Sequence, residues 1–440
     1  MPLKIPVMNT SNSSATETSL RERLRSATKS AHSELENLPF FEALAAGQLP
    51  LQSYASYLRA WTRGIAALEE CLAECQHTEV QHLATLHIPV MDALHRDLIH
   101  LYQHCPTDIP DAMKAAGRWA AKIRQDAAAN ATTLIGLLYA VEGAGRGAAV
   151  LGPMVRKCFA FDQDWGTEAF TVTAQGVKEH WEAFVSCLDA LPLTANENAS
   201  AIQGAVAFFT GFREVAAALY PFSSDEVQIL AESLNPHAGN HLVPDDPQEI
   251  ETARAAALEC WQAFPYLERR YGLRGRLYAD SDGAWLATLP SLNMKTAINQ
   301  VNWFGSLLAT RGMPTVILED KLQRLAASYT TTFPEHPERA KRFKALAEHL
   351  REKRLECIPE TIAHNLSRRF RNRLNEACPD FPEAPDLLIA AVADEANGAQ
   401  GAVTILRDWL GDEERFSPAW ITAIDQLLEQ TREQLANPTP

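Results

Sequence analysis

Apolar residues recur every three or four positions through nearly the whole chain, the period of a helix with one buried face. The first such run is Leu20, Leu24, Ala27, Ala31 and Leu35. It follows Ser19-Leu20-Arg21-Glu22, a hydroxyl N-cap with a carboxylate three residues on. Pro39 is expected to end this helix. The same period predicts helices over 54–75, 80–103, 111–130, 132–152, 177–191 and 201–219, with a short loop over 194–198. A second helical block runs from Glu249 to about Gln434, with breaks expected at 278–283, 311–314 and 333–337. Strand-like alternation is nearly absent, so the expected fold class is all-α. Residues 1–18 are polar and rich in Ser, Thr and Asn, and read as a disordered arm. The prolines between Asn235 and Pro247 mark a linker. The expected layout is a helical domain over 19–222, a linker over 223–248 and a second helical domain over 249–440. No internal repeat relates the two halves.

Composition narrows the function classes. A net charge of −15 argues against a nucleic-acid partner and against an anionic membrane partner. The eight cysteines form no CxxC pair and match neither a zinc site nor a disulfide framework, so they read as reduced thiols. No uninterrupted apolar run reaches the ~20 residues that span a bilayer. The start, MPLKIPVMNT, lacks the apolar core of a secretory signal. A cytoplasmic location is the expectation.

Three stretches carry candidate chemistry. His32 lies on the first helix between Thr28 and Glu36, one turn either way. A neutral imidazole on such a face can ligate iron; a histidine at the edge of a core is the commoner case. Gly143, Gly145 and Gly147 sit inside a helical pattern. Each costs ~1 kcal/mol relative to alanine there, and together they let a backbone kink and approach a flat ligand. The competing reading is a degenerate dinucleotide loop: a strand over 137–141, Gly143-x-Gly145-x-x-Ala148, and Asp162 on a ribose. It requires alternating strands and helices, whereas both flanks read as helix. Residues 339–373 carry eleven Lys or Arg against four Glu, either a docking face for an acidic donor or the solvated side of amphipathic helices. His100 with His104, Cys71 with Cys75, and Glu179-His180 have metal-compatible spacing but no further ligands. The Arg- and Gly-rich segment 269–276 has no evident role.

The residues around His32 and the glycines together resemble the haem oxygenase family. Ala27-Thr28-Lys29-Ser30-Ala31-His32-Ser33-Glu34-Leu35-Glu36-Asn37 is similar to that family's proximal helix. Gly47-Gln48-Leu49 with Tyr54, Tyr57-Leu58 and Ala67-Leu68-Glu69-Glu70 resembles its second helix. The stretch from Tyr139 to Leu151 resembles the distal helix of the bacterial enzymes that accompany phytochromes, with Gly143 and Gly147 as the two spaced glycines. The resemblance implies His32 as the iron ligand and Arg25, Thr28 and Tyr139 as further haem-binding residues; the basic propionate ligands of the family's later helix do not align here, and Lys178 is the candidate in their place. It implies Gly143, Ala144 and Gly147 as the distal catalytic wall. Ala144 departs from the pattern: animal enzymes place an aspartate there, and the phytochrome-associated ones a small hydroxyl residue. Arg146, or water held by the backbone, is the candidate substitute. The implied activity is cleavage of haem, with molecular oxygen, to biliverdin, carbon monoxide and iron. Electrons would come from a ferredoxin, flavodoxin or reductase, and a homodimer is a further candidate assembly. The alternative is a non-catalytic haem sensor, store or carrier with the C-terminal domain as output. Trp181 and Phe184 resemble a later helix of the family.

Overall fold

In the computed structural model, residues 19–162, 164–223, 225, 227–374 and 381–436 are described. The arm expected over 1–18 lies outside them. Among the described residues all regular structure is helical apart from an isolated bridge between Asp108 and Gln228. The chain divides into two compact units, 1–97 with 111–224, and 98–110 with 225–440.

The first unit contains α1 (Leu20–Glu36), α2 (Pro39–Ala45), α3 (Leu51–Glu74), α4 (Thr78–Ala84), the start of α5 (Met91–His104), α6 (Pro110–Ala129), α7 (Thr133–Phe159), α8 (Glu168–Ala174), α9 (Val177–Ala190) and α10 (Ala195–Leu219). Ser19 caps α1, its Oγ accepting from Glu22 N at 3.3 Å. The helix buries Leu20, Leu24, Thr28 and Leu35. It ends at Asn37, and Pro39 opens α2 instead of closing α1. The helix expected over 80–103 is two helices. Pro89 supplies no N–H for a continuous ladder, and the chain between α4 and α5 is irregular. The loop expected over 194–198 is the start of α10. Thr194 and Glu197 form a reciprocal capping box there, with Thr194 N donating to Glu197 Oε2 at 2.7 Å.

Two glycines allow α7 and α10 to touch backbone to backbone. A Cβ on Gly136 would fall 1.8 Å from Ala201 O, and one on Gly204 would fall 2.2 Å from Thr133 O. The 27 residues of α7 are apolar and long enough to cross a membrane by length and composition. In the structure most of its first half is buried inside the unit. Residues 137–141, offered above as a strand, lie within α7, which removes the dinucleotide-loop reading.

The second unit contains α11 (Ala231–Leu234), α12 (Pro247–Ala263), α13 (Pro265–Ala287), α14 (Met294–Ala309), α15 (Thr315–Thr332), α16 (Pro337–Cys357), α17 (Glu360–Leu374), α18 (Ala384–Ala396), α19 (Ala402–Leu410) and α20 (Pro418–Ala436). The stretch expected as linker holds α11, where Leu234 and Asn235 are buried and Ser233 Oγ donates to Asp108 Oδ2 at 2.7 Å. Leu234 packs with Tyr102, Ile250 and Ala284. The breaks expected at 311–314 and 333–337 are present, and the one at 278–283 is not. That stretch is helical because its carboxylate is satisfied in place: Asp280 pairs with Arg276, one turn earlier, at 3.0 Å, and with Arg254 at 3.4 Å. The bend falls instead at Gly272, whose φ of +53° is a left-handed backbone that other residues resist.

The basic stretch 339–373 spends much of its charge on its own unit. Arg339 pairs with Glu249, Arg351 with Glu360, Arg354 with Glu319 and Arg371 with Asp386. Arg342 donates to Pro290 O at 2.6 Å. Seven of the cysteines are free thiols, and Cys378 lies outside the described residues. No group of three or more His, Cys, Asp or Glu among the described residues is arranged for a metal ion.

Candidate functional site

Helical spacing decides which residues meet. Arg21, Arg25, Thr28 and His32 are four, three and four residues apart and share one face of α1. Tyr139, Gly143 and Arg146 share one face of α7, with Gly147 beside them. The two helices front a single cavity of about 710 Å³ in the first unit, large enough for a drug-sized or larger planar ligand. Arg25, Thr28, His32, Tyr139, Gly143, Ala144 and Gly147 all line it. Lys178, at the start of α9, is exposed and does not line it.

His32 turns an open imidazole to this space. Its side chain is 55% exposed, and Nδ1 lies 3.5 Å from Glu36 Oε1. Nε2 makes no hydrogen bond to a described residue. Phe209 steadies the ring edge-on at a centroid distance of 5.7 Å. Thr28 supports the helix, its hydroxyl donating to Leu24 O at 2.9 Å.

The wall from α7 is bare of side chains where a flat ligand needs room. A Cβ on Gly147 would meet nothing within 4 Å, and one on Gly143 would rest 3.6 Å from Trp181. Ala144 is exposed to the cavity and brings no polar atom. Trp61, Phe208 and Phe212 pack into one aromatic wall, with Trp61 to Phe212 centroids 5.1 Å apart.

One part of the cavity is cationic. Arg25, Lys29 and Arg146 line it. Burial pushes the Tyr139 hydroxyl up from its ordinary pKa, while the nearby charges of Arg21, Arg25 and Arg146 pull it down. Trp181 Nε1 is buried there without an acceptor. Three cations, a phenol and an unused indole N–H suit a ligand carrying carboxylates.

Sequence reasoning missed a buried ionic network on the same wall. Glu142 is 3% exposed and is the only acidic residue of α7. Its Oε1 lies 2.6 Å from His87 Nδ1, and its Oε2 lies 2.8 Å from His180 Nε2. Glu69 Oε1 is 3.5 Å from His87 Nε2. Burial pulls the His87 pKa down, but its bonds to Glu142 and Glu69 and their charges outweigh this and raise it to about 9. A carboxylate inside an apolar helix must find such partners, so Glu142 was a signal the sequence contained. Its partners come from the irregular chain between α4 and α5 and from α9, which no local pattern connects to it. His180, read above as part of a metal pair with Glu179, is instead a partner of Glu142.

Nearly the whole first unit also matches a known family. The family model for heme oxygenase covers residues 18–218, slightly less than half of the chain. Among solved structures, heme oxygenase-2 from Synechocystis sp. PCC 6803, in complex with heme and NO, is similar at 21% identity. The similarity spans 46% of this chain and 85% of that one, with a TM-score of 0.42. No curated protein matches the chain. The all-helical unit, the cavity between its first helix and its glycine-bearing helix, and the family match lead to one assignment: residues 18–218 form a domain of the haem oxygenase family.

Proposed function

We propose that the N-terminal unit binds haem through His32 and cleaves it to biliverdin, carbon monoxide and iron, using oxygen and an external electron donor. The observation that carries this reading is the unbonded Nε2 of His32, in the same cavity as the side-chain-free surfaces of Gly143 and Gly147. Haem supplies the iron and the oxidisable ring; the protein supplies orientation and shape.

Each residue then has a role. Glu36 Oε1, 3.5 Å from His32 Nδ1, would steady the ring and leave Nε2 for the iron, as a carboxylate behind a ligating histidine does. Arg25, Lys29, Arg146 and Tyr139 would hold the ligand's two carboxylates. Gly143 and Gly147, lacking side chains, would leave room for the ligand face against α7. Trp61, Phe208 and Phe212 exclude water from its apolar edge. Glu142, clamped between His87 and His180, holds α7 against α9 and against the chain after α4. A ferredoxin, flavodoxin or reductase is the proposed source of electrons.

Addition of haemin, then ascorbate under oxygen, tests the reading. A bound-haem Soret band should form and then decay as bilin absorption grows. Ala144 favours one second reading, a haem carrier or sensor that does not turn over, because it offers no acceptor to order water beside the reacting edge. Ala144→Asp separates the two. Cleavage that is present in the wild type and changes modestly supports the oxygenase. Cleavage that appears only in Ala144→Asp supports the carrier.

A further inference from the structure

The second unit has a cavity of its own, of about 660 Å³, and nothing above gives it a role. It opens beside the bend at Gly272. The Arg- and Gly-rich segment, which had no evident role in the sequence, presents Tyr271 before that bend and Arg274 after it to the cavity, and Tyr278 follows one turn on. Its walls are aromatic. Trp285 meets Phe304 edge-on at 5.0 Å and Trp303 at 6.3 Å. Trp303 is 59% exposed at the rim, a large apolar surface left uncovered.

The charged groups are few and mostly positive, Arg274, Arg311 and Lys321 against Asp282. Lys321 is 8% exposed and lines the cavity, yet it forms no hydrogen bond or ion pair with a described residue. Its charge meets Asp280 and Asp282 only through space, and an ammonium held this deep without a hydrogen bond favours a ligand on the cavity wall that can supply one. Arg274 and Arg311 are exposed and stand at the same cavity. Asp282 lies among these charges without closing an ion pair to Lys321 or Arg311 within 4.0 Å. Burial pushes its carboxyl up from the ordinary value, against the pull of Lys321, His241 and Arg311. The other deep carboxylate, Asp280, is already held by Arg276 and Arg254.

We infer that this cavity is a second small-molecule site and that its ligand is a flat, conjugated carboxylic acid, stacked on Trp303 against the edge set by Trp285, with its carboxylate on Lys321. Aromatic walls select a planar π-system over a flexible chain, and a buried ammonium selects an acid over a neutral molecule. The inference uses only residues of the second unit. A chain that failed to bind haem would leave it standing, and its own failure would leave the haem reading intact.

Biliverdin, a conjugated dicarboxylate, is the probe, with oleate as the flexible carboxylate for comparison. Both are titrated into the full chain, wild type, Lys321→Gln and Trp303→Ala, and read by bilin absorption and by calorimetry. Any binding in the N-terminal cavity is common to the three chains, so the differences between them report the second site. Lys321→Gln removes an unpaired charge and Trp303→Ala an exposed ring, so both variants should keep wild-type helicity and melting temperature. The expected result is weakening of biliverdin binding by roughly 10- to 100-fold in Lys321→Gln, and by roughly 3- to 10-fold in Trp303→Ala. Biliverdin affinity and stoichiometry unchanged by both substitutions would overturn the inference. So would oleate that binds the second site as tightly as biliverdin and ignores Trp303→Ala.

Discussion

The two units each enclose a cavity of similar size, about 710 and 660 Å³, inside an all-helical frame, and they line it in opposite ways. In the first, α7 withdraws its side chains at Gly143 and Gly147, so that backbone faces the space. In the second, Trp285, Trp303 and Phe304 crowd it. The first offers an imidazole whose Nε2 is uncommitted. The histidine of the second, His241, has its Nε2 3.3 Å from Ser281 O. Volume alone therefore says little. An uncommitted imidazole facing a bare helix suits a metal-bearing disc, and aromatic walls with an ammonium among them suit a metal-free acid.

Substitutions that exchange these features break the comparison, and the largest effect belongs to His32. His32→Ala should abolish normal axial ligation, seen as altered ferric and ferrous Soret positions, and with it turnover, because the cavity has no second histidine on α1. Gly147→Leu should come next. The position meets nothing within 4 Å, so the side chain fits the protein but fills the ligand's place. Haem affinity should fall at least about tenfold at unchanged helicity, by analogy with overpacking costs of ~1–3 kcal/mol, while Ala144→Leu should have a smaller effect. Arg25→Glu should weaken haem binding by a few-fold to about tenfold, an exposed charge-assisted contact, with a loss that shrinks as salt is added. Lys178→Glu should leave haem affinity unchanged, since Lys178 lies away from the cavity.

The smallest effect is in pH. His87 is a base whose folded pKa of about 9 stands above its ordinary value of 6.5. Its contribution to stability is complete below pH ~6.5 and is lost as pH rises through about 9. Thermal melts should show the wild type losing more stability than His87→Gln between pH 6.5 and 9.5. Equal losses in the two proteins would remove the Glu142 network from the account.

The N-terminal site was more legible in the sequence than the C-terminal one for a physical reason. The residues of His32's face are contiguous on one helix, as are those of Gly143, so helical spacing alone assembles each half of the cavity. The network around Glu142 is built from four separate places in the chain, and only the lone acid in an apolar helix hinted at it. The misplaced breaks have a common cause. Asp280, Ser281, Asp282 and Gly283 are turn-forming residues, but an ion pair within the same helix keeps Asp280 helical. Thr194 and Glu197 look like loop and act as a cap. In the other direction, the apolar period over 80–103 concealed the interruption at Pro89. The cavity of the second unit draws on α12 to α15, and no two adjacent residues announce it. Lys178 had no aligned counterpart to place it, and it lies exposed at the start of α9, away from the cavity.

The most direct test of the central claim is a single comparison of absorption spectra. Wild-type chain and His32→Ala are each mixed with haemin, then given ascorbate under oxygen, and followed from the Soret band to the red. The account requires the wild-type Soret band to decay while bilin absorption rises, and His32→Ala to show a shifted Soret band and no bilin. A wild type that keeps its Soret band intact, together with a His32→Ala spectrum indistinguishable from it in both oxidation states, would contradict both the ligand and the reaction.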